Sequence, residues 1–488
     1  MGDENTILSE SDVRHLLRRT GFGPTPKDMK KARNLVGATR GAGADYVLGM
    51  KTKAFRPKGK ENRDVHDKWL KWLLKGKTPL QDRLVLFWHD HFSTSASVVE
   101  DPAAMSLQVQ RHYTYALGNF RDYVKAINVD PAMMIFLDTV KNSKFIPNEN
   151  YARELCELFT LGVTDLLGES NYLQDDVVQI ARAFTGWRED DLVPFLRESR
   201  HDYMADYPER GPKVLFDDAH GFPSGGASFT TGGEGENEID EVVDILFAHL
   251  DSEGKNTVAR RTAYRLLEFF AYASPELSVV DALVAASGFD TSFEVAPLLR
   301  EMFVHDAFWE SAATMPYTAS TKKSVKWPID FVVSTLRILN MKAKGKDLEL
   351  RGGNYLSLFD HLENMGQTIG EPPSVFGWEW EAGWVSSSTL LARYSFARDI
   401  VNARSSGRFK PEKLIDSDLT DPDLIVDAVL DVLGLGGQLD AIERDALVEY
   451  LTDSGANSSI DLDDYDVRNT KLHGLFALAM QSPAYQLH

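Results

Sequence analysis

Apolar side chains recur at three- and four-residue intervals from one end of the chain to the other, in segments of two to four turns, and this periodicity demands packed helices. DVRHLLRRTGFGP begins after Ser11, a candidate N-cap, and is stopped by Gly21, Gly23 and Pro24. TPLQDRLVLFWHDHF opens with Thr78, Pro79 and Gln81, a capping box with proline in the first turn. DPAMMIFLD, NENYARELCELFTLG, DDVVQIARAFTGW and NTVARRTAYRLLEFFAY follow the same rule. Strand-like alternation is scarce, and only KVLF at 213–216 and SFTT at 228–231 could pair. The expectation is a mainly α fold: a large multi-helix, bundle-like body with one irregular glycine-rich insertion and at most a small β-hairpin. Four segments are expected: a helical core at 1–188, an insertion or flap at 189–238, a second helical part with a tryptophan-rich loop at 239–407, and an acidic helical subdomain at 408–488.

The whole-chain charge narrows the partners. Fifty-three basic against 73 acidic residues give a net charge of −20, which disfavours nucleic acid and anionic lipid, since both need clustered Lys and Arg. A single cysteine, Cys156, excludes an internal disulfide and a thiolate zinc cluster. No apolar run is long enough to span a bilayer, and no N-terminal export signal is evident. Neither a Walker loop nor a dinucleotide fingerprint occurs, so no nucleotide cofactor is expected, and no G-x-S-x-G turn supports a serine hydrolase.

Chemistry-bearing residues collect in four stretches. In RLVLFWHDHFSTS, a helix from Pro79 turns about 100° per residue, which puts Leu84, Phe87 and His91 on one face and His89 nearly opposite. His89 and His91 can share a metal only if the helix ends near His89 and HDHFSTS runs extended. The alternative is that each imidazole is packed and hydrogen-bonded. In PNENYARELCELFTLG, Asn150, Arg153, Glu154 and Glu157 occupy one arc, and carboxylates at i, i+3 suit a helical metal site. A solvated face with an Arg153–Glu157 ion pair explains the same spacing. In DDVVQIARAFTGW, Asp175, Gln179 and Arg182 align, Trp187 follows the helix end, and His201 with Asp202 sits in a loop beyond. Finally, Trp378, Trp380 and Trp384 lie among prolines and glycines, either as an aromatic wall for a sugar ring or as a rigid plug over a helix end.

These stretches together resemble a bacterial family catalogued as domain of unknown function 1800. RHLLRRTGFGPTP is similar to its opening, LVLFWHDHFSTS to its FWHNHF segment, and HDYMADYPERGPKVLF to its HD-x-G-x-K segment stretched by an insertion. PNENYARELCELFTLGV, DDVVQIARAFTGW, PPSVFGWEWEAGWVSSSTLLAR and LFALAMQSPAYQ match further motifs in order. The resemblance implies a mostly helical, commonly exported protein whose gene often neighbours that of a sulfatase-like protein, a possible partner. Asp90 stands where asparagine is usual, and Leu173 where a capping threonine is usual.

The leading expectation is an enzyme with a buried polar cleft holding a divalent metal (zinc, manganese or iron). His89, His91, Glu154, Glu157, His201 and Asp202 would be its ligands. Glu154, Glu157, Arg153, Arg182 and Asp175 would carry metal-assisted hydrolysis or oxidation, and Trp187, Trp378 and Trp384 would hold a small-molecule or carbohydrate substrate. The alternative is a non-catalytic secreted binding or assembly module, with the tryptophan loop as a candidate carbohydrate-binding face. It requires no metal, carboxylates paired with Arg83, Arg153 or Arg182, and no open pocket at the histidines.

Overall fold

A computed structural model describes residues 3–217, 226–228, 234–310, 322–341, 357–402 and 409–488. Among them the chain forms 24 α-helices and two antiparallel two-stranded sheets, so the fold is mainly α. One of the sheets pairs Val214–Leu215 with Ala227–Ser228, where the sequence placed its hairpin; residues 229–231 lie outside the described residues. The other, Trp187–Asp190 with Val193–Leu196, was not expected. It turns at Asp191 and Leu192, both left-handed, in a stretch with no glycine to signal the turn. No helix among the described residues is long and apolar enough to cross a membrane.

The body is assembled around one helix, Pro79–His91, whose residues from Leu80 to His91 are all buried. Its apolar side chains belong to a hydrophobic core that runs from Leu8 to Tyr485, through all four sequence segments. Its polar residues are ties to other elements. Arg83 pairs with Asp330 on helix Pro328–Ile338 at 2.7 Å, and both side chains are about fully buried. Gln81 donates to the Tyr113 carbonyl of helix Pro102–Tyr115. The capping box expected at Thr78 and Gln81 is absent, because Gln81 is turned to Tyr113 and the Thr78 hydroxyl donates to Asp82 instead.

At the chain's beginning, helix Glu10–Arg19 is capped two residues earlier than expected, by Ser9 with Asp12 rather than by Ser11. Arg19 is fully buried and donates to the carbonyls of Phe269, Phe270 and Ala271 at the C-terminal end of helix Thr257–Phe270. A guanidinium there satisfies orphan carbonyls and opposes the negative end of the helix dipole. At the other end of the chain, helix His473–Gln481 lies along Ser387–Val401. Segment 189–238 is fastened at several points, with His201, Asp202 and Lys213 all buried. Residues 224–225 and 229–233 of its glycine-rich stretch lie outside the described residues.

Candidate functional site

The helix carrying FWHDH does not end at His89. It continues to His91, so the two imidazoles project to different sides and meet different partners. His91 Nε2 lies 3.1 Å from the Phe159 carbonyl, as the donor, with its ring stacked on Phe87. His89 Nε2 accepts from the Gly370 amide at 3.1 Å, which assigns the proton to Nδ1, a buried atom with no partner. Burial pushes the His89 imidazole down to about 3 and holds His91 well below its usual range, so both are neutral donors or acceptors at any physiological pH.

Asp90, between them, joins the helix to the tryptophan loop. Its carboxylate accepts from the Trp378 amide at 2.8 Å, from Trp380 Nε1 at 2.8 Å and from Arg265 Nη2 at 3.4 Å. The loop reaches it through Gly377, at φ +80°, where a Cβ would stand 2.4 Å from Asp90 Oδ1. Only glycine permits both that backbone conformation and that approach. Burial raises the Asp90 carboxyl to about 6 against the opposing pull of Arg265 and the two hydrogen bonds. An aspartate here, in place of the asparagine that the resemblance implied, adds a charged partner for Arg265. Trp378 and Trp384 are 5% and 3% exposed, so the loop is a plug over the end of the central helix and offers neither ring as an open platform.

His201 and Asp202 are engaged in a second buried network. His201 Nδ1 is 2.7 Å from the Thr185 carbonyl and Nε2 3.1 Å from Glu238 Oε2. Glu238 also takes both carboxylate bonds from Lys213 Nζ, at 2.6 and 2.8 Å. Asp202 Oδ2 accepts from Arg182 Nε at 3.1 Å and Arg210 Nη1 at 2.8 Å. Arg182 further binds Gln179 Oε1 and the Gly211 carbonyl. The histidine, aspartate, glycine and lysine of HD-x-G-x-K thus all belong to one interlock between helix Gln174–Ala183, the insertion and helix Glu238–Ala248. Asp175 lies exposed at the outer end of that stripe, 3.4 Å from Gln179. Trp187 is 8% exposed in the first hairpin.

The remaining carboxylates sit where the helix changes character. Asn150–Glu154 is α-helical, and Leu155–Phe159 is a π turn. Widening the turn leaves carbonyls off the helical ladder, and the tertiary structure takes them up. Arg261 Nη2 donates to the Glu157 carbonyl at 3.1 Å, His91 to that of Phe159, and the Thr160 hydroxyl to that of Leu155. Such turns are enriched at functional sites. On the outer face Arg153 bridges Glu149 at 3.0 Å and Glu157 at 3.6 Å, Gln174 joins Arg153 to Glu149, and the Tyr172 hydroxyl donates to Glu157 Oε1. Glu154 is different. Its Oε2 is buried with no partner, and burial, reinforced by the adjacent Glu157, raises its carboxyl to about 7 despite Arg153. A carboxyl raised that far is poised to hold or release its proton near neutrality.

The six expected metal ligands therefore do not converge. They are divided among the tryptophan plug, the π-turn carbonyls, the insertion interlock and the Glu154–Glu157 pair. No group of three or more His, Cys, Asp or Glu side chains among the described residues is placed to hold a metal ion. The residues do not fit the divalent metal that spacing suggested. Sequence reasoning missed Arg261, Arg265 and Tyr172, whose partners lie far along the chain or across a loop. The signal for the two arginines was charge within an apolar helix, as in ARRTAYRLLEFF, and Tyr172 in its loop carried none.

A family model described as "Protein of unknown function (DUF1800)" matches residues 15–487. The chain belongs to that family. The match runs from His15 in the first helix to Leu487, the neighbour of His488, whose Nε2 lies 2.6 Å from Asp330 of the buried Arg83–Asp330 pair. No curated protein and no solved structure matches the chain.

Proposed function

We propose that this DUF1800 protein is an acid–base enzyme for a small polar substrate, with Glu154 as its proton donor and Glu157 as the carboxylate beside it. The observation that carries the reading is the state of Glu154: a half-buried carboxyl without a hydrogen-bond partner on Oε2, raised to about 7. A carboxylic acid with that poise gives and takes a proton at neutral pH with little driving force wasted, which is what general acid–base catalysis requires. Tyr172 and Arg153 hold Glu157 in place, and Arg153 is itself fixed by Glu149 and Gln174. The test is a screen of hydrolase and lyase substrates on the parent protein and on Glu154→Gln. An activity whose pH profile bends near 7 and is lost in Glu154→Gln supports the reading. An activity with the same rate and profile in the variant contradicts it.

A second reading, a non-catalytic binding or assembly module, is favoured by a separate observation. Asp90, Asp202 and Asp330 are paired with arginines, and His91 and His201 are hydrogen-bonded to backbone carbonyls. On that reading Glu154→Gln alters stability alone and changes no turnover.

A further inference from the structure

The opening motif RHLLRRTGFGPTP takes no part in the Glu154 site, yet it builds a cavity of its own. Leu17, Thr20 and Gly23 form one wall, helix Pro26–Ala32 contributes Asp28 and Lys31, and Tyr46, Met50 and Lys51 come from the following segment. Gly76, Lys77 and Pro79 at the start of the central helix, with Arg337 from helix Pro328–Ile338, close it around about 220 Å³. Four cationic side chains, Lys31, Lys51, Lys77 and Arg337, face one carboxylate, Asp28. That local surplus of three positive charges stands in a chain whose net charge is −20. A cluster of like charge that repels itself is stabilised by a counter-anion.

Arg337 is the fixed member of the group. Its side chain is 8% exposed, and its Nη2 donates to Asp28 Oδ2 at 3.1 Å. Its guanidinium lies against Gly76, at φ +51°, where a Cβ would stand 1.9 Å from Nη1. Nη1 is buried and has no hydrogen-bond partner. The nearby Asp82 makes no hydrogen bond to the guanidinium: its Oδ1 is occupied by Trp72, Thr78 and Tyr113, and its Oδ2 has no hydrogen-bond partner. A planar, always-charged donor fork with a free arm suits an oxyanion, and the exposed lysines Lys51 and Lys77 at the mouth add mobile point charges. Leu17, Met50, Pro79 and the Tyr46 ring supply an apolar wall beside them.

We propose that this cavity binds a small organic phosphate monoester, with the dianionic phosphate among Arg337, Lys31, Lys51 and Lys77 and the carbon skeleton against Leu17, Met50 and Tyr46. A dianion is favoured over a carboxylate because a single negative charge would leave two of the three surplus charges uncompensated. The site is distinct from Glu154 and stands whether or not that residue is catalytic.

The test is isothermal calorimetry on the full chain with phenyl phosphate, inorganic phosphate and benzoate as probes. Phenyl phosphate should bind with one-to-one stoichiometry, more tightly than either of the others and less tightly as salt is raised. Lys51→Gln/Lys77→Gln, both at solvent-exposed positions, should keep the fold and weaken binding by about tenfold or more, and Arg337→Gln should weaken it further. Absence of phenyl phosphate binding, equal affinity in the lysine double variant, or benzoate binding as tightly would overturn the proposal. Inorganic phosphate binding as tightly as the ester would overturn the role given to the apolar wall, and with it the monoester assignment.

Discussion

At the scale of single residues, the polar groups of the family motifs divide by whether their hydrogen bonds are complete. Asp90 has three donors on its two oxygens, and removing it leaves Arg265 and two loop N–H groups without an acceptor. Asp90→Ala should destabilise the fold by about 3–5 kcal/mol, the usual result of breaking a buried pair. Asp90→Asn keeps one acceptor oxygen and should lose only about 1–2 kcal/mol. Urea denaturation of both variants checks the ordering. Glu154 sits at the other extreme, and its linkage has the opposite sign from an ion-paired carboxylate. Its folded-state pKa of about 7 lies above the unfolded value, so the native state binds the proton more tightly. Its contribution to stability is complete at low pH and is lost as pH rises toward and through 7. Glu154→Gln should therefore match the parent in urea at pH 4 and exceed it at pH 8. A variant less stable than the parent at pH 8 would contradict that sign.

At the scale of elements, the π turn depends on partners that sequence cannot display locally. The arc of Asn150, Arg153, Glu154 and Glu157 was legible from helical spacing, and so was the Arg153–Glu157 pair. The change from α to π at Leu155 was not, because it is stabilised by His91 and Arg261, which come from two other helices. The hairpin at Trp187–Leu196 was hidden for a similar reason, since WREDDLVPFL carries neither clean alternation nor a turn glycine. His91→Ala removes the donor to Phe159 and leaves a cavity among aromatic rings. It should cost about 2–4 kcal/mol. Hydrogen exchange should show the loss first in the amides of residues 155–162, whereas uniform loss across the chain would mean the turn is held by something else. The insertion interlock allows a sharper test. Lys213→Met strands the buried Glu238 and should cost about 3–5 kcal/mol, while Lys213→Met/Glu238→Met should recover much of it. Additive losses in that double-mutant cycle would show that the pair is not coupled.

At the scale of the whole molecule, fold class was legible because a 3.6-residue period and its caps are local properties, repeated in helix after helix. The site was legible only as a set of residue types. Spacing suggested that buried His, Asp and Glu were gathered for a metal, but burial alone explains why most of them need partners, and those partners are backbone carbonyls, loop amides and arginines. What holds the segments together is one continuous core crossed by buried polar ties: Asp90 to the tryptophan loop, His91 to the π turn, Asp202 and Glu238 to the insertion, and Arg19 to the end of Thr257–Phe270. Glu154 stands outside these ties, and the functional account depends on it. The most direct measurement is the titration of the Glu154 carboxyl by 13C NMR on protein labelled at glutamate side chains, with Glu154→Gln to assign the resonance. The expected result is a carboxyl resonance titrating near 7 that disappears in the variant, while that of Glu381, which burial also raises to about 7, remains. A Glu154 resonance titrating in the ordinary glutamate range, near 4 to 5, would contradict it.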